Sequence, residues 1–466
     1  MSSINRTWQT AAVITAEDVP SREALVQNEP AIRSRTVRES DLYLVFHYVL
    51  LVYLFMYVSR LPELVSWLHI GILLQPILLV GLVLTKRTRA LMEMRSSRWL
   101  IAFTVWIGIC VPFSFWPGGS FLLFVRALQS LLLVAFMLGF VRSVPDVMRA
   151  LTTVGLASGV IALLSRSSSE MDNRMGLSGS SSLGDPNYFA LYLLVGVALL
   201  CVTASQSRGW LRLCAVALIP INLAVSVLSG SRAGFLTLGV GLVMLLMYGS
   251  TKQRTVIVSS CLLGVLLAAF FLPATIQHRL TNWFSSTGFS IFFTGERPTE
   301  YTWNRDITIA EGSTEARMYV LRRSLILTAK HPLFGVGPDQ FMGAEAADAN
   351  AHGVHPAWHV SHNTYTEFSA ELGIPGIVLF GGAFFGSYRG LSAIRKKGPT
   401  PRIRQMGLFL QTAYIMLMVG AFFLTLGYGG LLFVVIGLSG AFQSAVHRYA
   451  REARTVTLQP QMSVAV

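Results

Sequence analysis

Charge is scarce in this chain: Asp, Glu, Lys and Arg make up 13% of its 466 residues, against 53% hydrophobic residues and a mean hydropathy of +0.56. A single soluble domain needs more polar surface than that, so that class is excluded and a polytopic membrane protein is indicated. Cysteine is scarce too. Cys110, Cys201, Cys214 and Cys261 all fall inside apolar runs, which argues against a disulfide framework and marks them as small buried side chains. Two-residue alternation is missing from the runs, and backbone groups in lipid must pair within their own segment, so helices are expected rather than a barrel. The first 41 residues hold no apolar stretch of the signal type and read as a mobile cytoplasmic tail.

What the chain does have is apolar runs of about 17 to 25 residues, the length a helix needs to cross roughly 30 Å of hydrocarbon. Twelve are expected, at 42–58, 64–84, 99–115, 121–141, 147–164, 188–204, 210–228, 233–248, 255–272, 364–388, 405–426 and 429–445. The expected fold class is therefore an all-α polytopic membrane protein of about 12 transmembrane helices, with one large periplasmic loop containing short amphipathic helices. Its layout is a tail over 1–41, membrane helices one to nine over 42–272, a loop domain over 273–361, helices ten to twelve over 362–446 and a cytoplasmic tail over 447–466. The 37 Lys and Arg against 23 Asp and Glu orient it. Cytoplasmic connections retain basic residues, and here each inner connection is basic, as at Lys86 to Arg98, Arg142 and Arg149, and Arg389 to Arg404. That excess reports membrane orientation and anionic lipid; nothing in it asks for a nucleic-acid partner.

Polar residues gather at the outer side. Arg126 lies about one turn inside the outer end of the fourth run, where it either snorkels to the surface or faces substrate. Gly184-Asp185-Pro186-Asn187 closes a Ser- and Gly-rich loop as a helix N-terminus, a structural signal that also leaves N–H groups able to receive a phosphate near Asn187. Ser229-Gly230-Ser231-Arg232-Ala233-Gly234 is a tight outer turn that holds Arg232 between two membrane helices. Such an arginine is either an interface anchor or a planar, permanently charged phosphate ligand. In the long loop, 313–329 carries an N-cap signal and apolar residues at three- and four-residue steps, an amphipathic helix with Arg317 on its first turn. It should stop at His331-Pro332, and a Gly335-Val336-Gly337-Pro338 turn follows.

His352, His355, His359 and His362 recur at steps of three, four and three. On one helix they would share a face and suit zinc, but Pro356 interrupts such a helix and no cysteine completes a familiar set, so no metal and no cofactor is expected. His362 stands apart chemically. It opens the tenth apolar run at the water–lipid boundary and titrates near neutral pH, so it can take a proton from a sugar hydroxyl that attacks an anomeric carbon. Asn363 and Tyr365 are placed to hold the ring or the sugar, and Glu371 lies further along the same helix. The leaving group of a lipid-linked sugar is a pyrophosphate, whose developing charge Arg232 and Arg317 would stabilise.

At these residues the sequence resembles the O-antigen ligase and O-antigen polymerase family. The matching pieces are Ser231-Arg232-Ala233-Gly234, Arg317 upstream of His331-Pro332-Leu333-Phe334-Gly335-Val336-Gly337, and His362-Asn363-Thr364-Tyr365 followed by Glu371-Leu372-Gly373-Ile374-Pro375-Gly376. The resemblance implies a metal-independent inverting glycosyltransferase in the bacterial inner membrane, with its site facing the periplasm. Such an enzyme moves a glycan from undecaprenyl pyrophosphate to an acceptor, either lipid A core (ligase) or a second carrier-linked glycan (polymerase). Arg232 and Arg317 would bind pyrophosphate and His362 would activate the acceptor. Arg322 and Arg323 share the helix of Arg317 and compete for its role. A protein hydroxyl is a further possible acceptor, and the ligase arrangement is favoured by analogy. A transporter of lipid-linked sugars is the other class. It predicts midplane charges and paired broken halves, which the sequence lacks.

Overall fold

The computed structural model describes residues 41–65, 70–168, 174–180, 183–274, 276–277, 314–352, 356 and 358–462. Most of the expected N-terminal tail, Ser313 at the start of the expected amphipathic helix, and His355 lie outside the described residues. The longer helices among the described residues are α1 (Asp41–Ser59), α2 (Ile70–Leu84), α3 (Arg95–Cys110), α4 (Pro117–Phe140), α5 (Val144–Leu164), α6 (Pro186–Gln206), α7 (Gly209–Leu228), α8 (Arg232–Tyr248), α9 (Thr251–Phe271), α10 (Thr314–Lys330), α11 (Phe341–Ala351), α12 (Thr364–Lys397), α13 (Pro401–Gly420) and α14 (Gly430–Met462). A small antiparallel hairpin, β1 (Arg166–Ser168) and β2 (Arg174–Gly176), sits between α5 and α6 with Arg166 opposite Gly176.

Each of the twelve expected apolar runs overlaps a helix among the described residues. Among the described residues, eight helices are long and apolar enough to cross a membrane: α1, α3 with its following turn, α4, α5, α6, α7, α12 and α14. Leu73–Leu84 of α2 and Arg232–Tyr248 are shorter apolar helices. The chain is thus an all-α polytopic membrane protein. Its helix starts follow from local chemistry: Ser143 and Asp146 form a capping box on α5, and Asp185, Ser231, Asn363 and Thr400 cap α6, α8, α12 and α13. Burial separates centre from rim: 94% of the α14 span is buried against 17% of α7. The aromatic rings of Phe103, Phe368 and Phe380 interlock in the core at centroid separations of 4.9, 5.8 and 4.7 Å.

Three helix ends differ most from the sequence expectation. α13 ends at Gly420 instead of 426, because residues 421–429 fold back onto the start of α12: Thr364 N donates to Ala421 O at 2.8 Å and Leu426 N to Thr364 Oγ1 at 2.8 Å. α12 and α14 run on to Lys397 and Met462, since their basic, polar C-terminal turns remain helical beyond the apolar run.

α12 is broken at Gly373 (φ 69°), two residues before Pro375. Pro375 has no N–H for the carbonyl of Glu371, and the break leaves Ala370 O free as well. The stretch after α10 supplies both partners: Val336 N donates to Ala370 O at 2.9 Å and Gly337 N to Glu371 O at 3.0 Å, while Ile374 N donates to Pro332 O at 2.8 Å. Trp106 Nε1 of α3 donates to Leu372 O at 2.8 Å. The two backbones cross so closely that a Cβ on Gly335 would sit 2.2 Å from the Glu371 carbonyl carbon, and one on Gly373 would sit 2.2 Å from Leu333 O. Both glycines also have positive φ. The His331–Gly337 and Glu371–Gly376 motifs are therefore two halves of one backbone clasp, which fixes α10 over the head of α12.

Candidate functional site

Three helix N-termini converge at this end of the bundle. At α6, Asp185 Oδ1 accepts from Asn187 N (2.6 Å) and Tyr188 N (3.2 Å). At α8, Ser231 Oγ accepts from Gly234 N (3.1 Å) and donates to Asn187 Oδ1 (2.8 Å). Arg174, buried on β2, completes the joint: its Nε donates to Ser229 O at 2.7 Å and its Nη2 to Asn187 Oδ1 at 3.4 Å. A Cβ on Gly234 would lie 3.0 Å from Ala190 Cβ, so the starts of α6 and α8 pack tightly. Arg232, first residue of α8, is thereby held beside Asn187, half-buried, with an Nε that is buried and has no hydrogen-bond partner among the described residues.

The third terminus carries the histidine. His362 has a left-handed backbone (φ 50°), and its N–H donates to Thr425 Oγ1 at 3.0 Å. Thr425 is held in turn by Tyr188 of α6, whose hydroxyl donates to Thr425 O at 2.8 Å and accepts from Thr425 N at 3.0 Å. A continuous polar chain thus links the cap of α6 to the backbone of His362. Burial, followed by the charge of Arg317, lowers the His362 imidazole to about 4, while Asp185 opposes the shift and His359 adds to it. The His359 and His362 rings lie 6.5 Å apart. At neutral pH the imidazole is uncharged and keeps a lone pair.

The arginines of α10 now separate. Arg317 acts on His362. Arg323 pairs with Asp348 and, at 3.3 Å, with Glu345, both on α11. Arg322 stands about 140° around the helix from Arg317, at roughly 100° per residue, and cannot share its direction. Arg126 is exposed on α4, where its charge acts on Asp339 in the turn before α11. It belongs with that turn.

Several side chains expected at a substrate are occupied. Asn363 Oδ1 accepts from Tyr365 N (3.0 Å) and Thr366 N (3.2 Å), the work of a helix cap. Tyr365 turns inward, its hydroxyl donating to Met418 O at 2.9 Å and its ring 4.6 Å from that of Phe422, so it binds α13 to α12. Glu371 lies roughly 13 Å from residue 362 along the helix, at about 1.5 Å per residue. It accepts from Asp339 N (2.8 Å), Phe341 N (3.1 Å) and Tyr428 Oη (2.9 Å), which pins α11 to α12. Glu367, which sequence reading passed over, is buried and accepts from Gly427 N at 3.2 Å. Tyr188 and Thr425 were also missed. The Asp-Pro cap signal pointed toward Tyr188, whereas Thr425 sits in an apolar run with no local signal.

The histidines do not share a helix: His352 ends α11, with Nδ1 2.7 Å from Asp348 O, and His362 precedes α12. Among the described residues no three metal-ligating side chains cluster. The arrangement is one of a neutral imidazole in the field of the Arg317 guanidinium, tied through Thr425 and Tyr188 to the start of α6, where Asn187 anchors the start of α8 with its second guanidinium. It can accept a proton and hold an anion.

Residues 217–381 match the O-antigen ligase family, a stretch that runs from within α7 past the break in α12 and includes Arg232, Arg317 and His362. No curated protein matches the chain. The chain therefore carries an O-antigen ligase family domain over residues 217–381, set in an all-α polytopic membrane protein.

Proposed function

We propose that the protein is an inverting glycosyltransferase that moves a glycan from undecaprenyl pyrophosphate to an acceptor hydroxyl, with lipid A core as the acceptor and the site on the periplasmic face of the inner membrane. The family match supports a membrane enzyme that processes glycans. The observation that carries the finer reading is the charge of Arg317 acting on the part-buried, uncharged imidazole of His362.

In this reading the pyrophosphate sits against Arg317 and Arg232, with the N–H groups at the start of α8 adding positive potential. The acceptor oxygen attacks the anomeric carbon from the opposite face. Its proton passes to an imidazole nitrogen of His362 as the new C–O bond forms, and the old C–O electron pair leaves on the pyrophosphate. Neutral imidazole is the required starting form, and the depressed pKa secures it. A bound pyrophosphate offsets the field of Arg317, so the imidazole becomes a stronger base once the donor is in place. The two guanidinium groups then meet the charge that builds on the leaving group.

The test is to supply purified protein with an undecaprenyl-pyrophosphate-linked glycan and, in separate reactions, lipid A core or a second carrier-linked glycan. Glycan joined to lipid A core is the expected product. Chain extension of the carrier-linked glycan alone would identify a polymerase instead, and no product with either would remove the reading.

A further inference from the structure

A second group of arginines meets at the opposite end of the bundle. Arg87 follows α2, Arg142 joins α4 to α5, and Arg448 lies roughly 27 Å along α14 from Gly430, at about 1.5 Å per residue. Arg87 grips Glu93 with both terminal nitrogens, at 2.8 and 3.0 Å. Arg448 approaches the same carboxylate at 3.9 Å and donates from Nε to Arg142 O at 3.0 Å. Arg142 lies over the ring of Tyr43, 5.2 Å from its centre. The charges of Arg87, Arg142 and Glu93 all act on Arg448.

One carboxylate among three guanidinium groups leaves the cluster with excess positive charge in a part-buried setting. Nε of Arg87, Nε of Arg142 and Nη2 of Arg448 are buried and have no hydrogen-bond partner among the described residues. Unpaired buried donors are costly, and a group with several charged acceptor oxygens relieves them and the charge together. The neighbouring surface indicates where that group comes from. Val80, Val83 and Leu84, on the last turns of α2 before Arg87, are 53%, 59% and 56% exposed, an apolar strip that leads to the cluster.

We propose that Arg87, Arg142 and Arg448 form a site for the phosphate of an anionic phospholipid whose acyl chains lie along α2. Basic pockets between membrane helices recognise such headgroups by charge and by paired guanidinium hydrogen bonds. Glu93 competes with the phosphate for Arg87 and sets the affinity of the site.

The experiment uses the full chain in neutral detergent, with dioleoylphosphatidylglycerol, dioleoylphosphatidylcholine or inorganic phosphate added at equal concentration. Lipid retention is read by native mass spectrometry and stability by thermal unfolding. Phosphatidylglycerol should be retained and should raise the unfolding temperature, and the other two should not. Arg142→Gln with Arg448→Gln should lower its retention about tenfold. Glu93→Gln should raise retention severalfold, and Arg402→Gln, an exposed arginine at the start of α13, should leave it unchanged. Stabilisation by inorganic phosphate equal to that by the lipid would overturn the lipid assignment. Equal retention of both lipids, a loss in Arg402→Gln matching the double variant, or no gain in Glu93→Gln would overturn the site.

Discussion

Arg317 and Arg323 stand on one helix, six positions apart, and meet opposite surroundings. Arg323 faces α11, where Glu345 and Asp348 neutralise it and Lys330 shares Asp348. Arg317 faces the head of α12, where the group that feels its charge is an imidazole. The same residue type is an internal strut on one face of α10 and, on another, a cation whose charge acts on an imidazole. What makes a strut of Arg323 is the location of two acids, and those acids lie on an element the helix itself does not contain.

The sharpest way to break this contrast is to remove the group that Arg317 acts on. His362→Ala should lower glycan transfer by about a thousandfold, with thermal unfolding and membrane insertion unchanged; near wild-type turnover would end the assignment of a base. Arg317→Ala should cost about a hundredfold in kcat/KM. It should also move the acidic limb of the pH profile upward from about 4, because the charge that holds the His362 pKa down is gone. A profile that stays in place would show that burial alone sets the imidazole. Gly335→Ala should destabilise the clasp by about 2–4 kcal/mol and disturb both faces of α10 together, since the added Cβ meets the Glu371 backbone and the residue has φ 68°. Reduced transfer and lower unfolding temperature should appear in the same preparation. At the small end, Arg323→Gln should lower the unfolding temperature by about 1–3 °C and leave the pH profile alone. Arg322→Gln should alter transfer by no more than about twofold.

The helix starts were legible because their causes are local. A Ser, Asp, Asn or Thr before an apolar run caps it wherever the helix goes, and Asp185, Ser231, Asn363 and Thr400 all do so. Arg232 and His362 were legible as boundary residues for the same reason. The end of α13 was hidden, since Ala421 to Leu426 is as apolar as a membrane helix and only its pairing with Thr364 reveals a loop. The choice among Arg317, Arg322 and Arg323 was hidden too, because it rests on where Glu345 and Asp348 come to lie. Asn363 and Tyr365 read as substrate ligands by their position beside His362, yet one caps a helix and the other ties two helices together.

The break in α12 bears on how the protein is made. Its head, residues 364–372, is fastened by hydrogen bonds from Val336 and Gly337, which leave the ribosome well before it does. Those donors have no acceptor to meet until the later helix has been threaded into the bilayer. The stretch that carries those donors and the tenth apolar run are therefore completed together, and the ring of His362 takes its seat only when both have arrived.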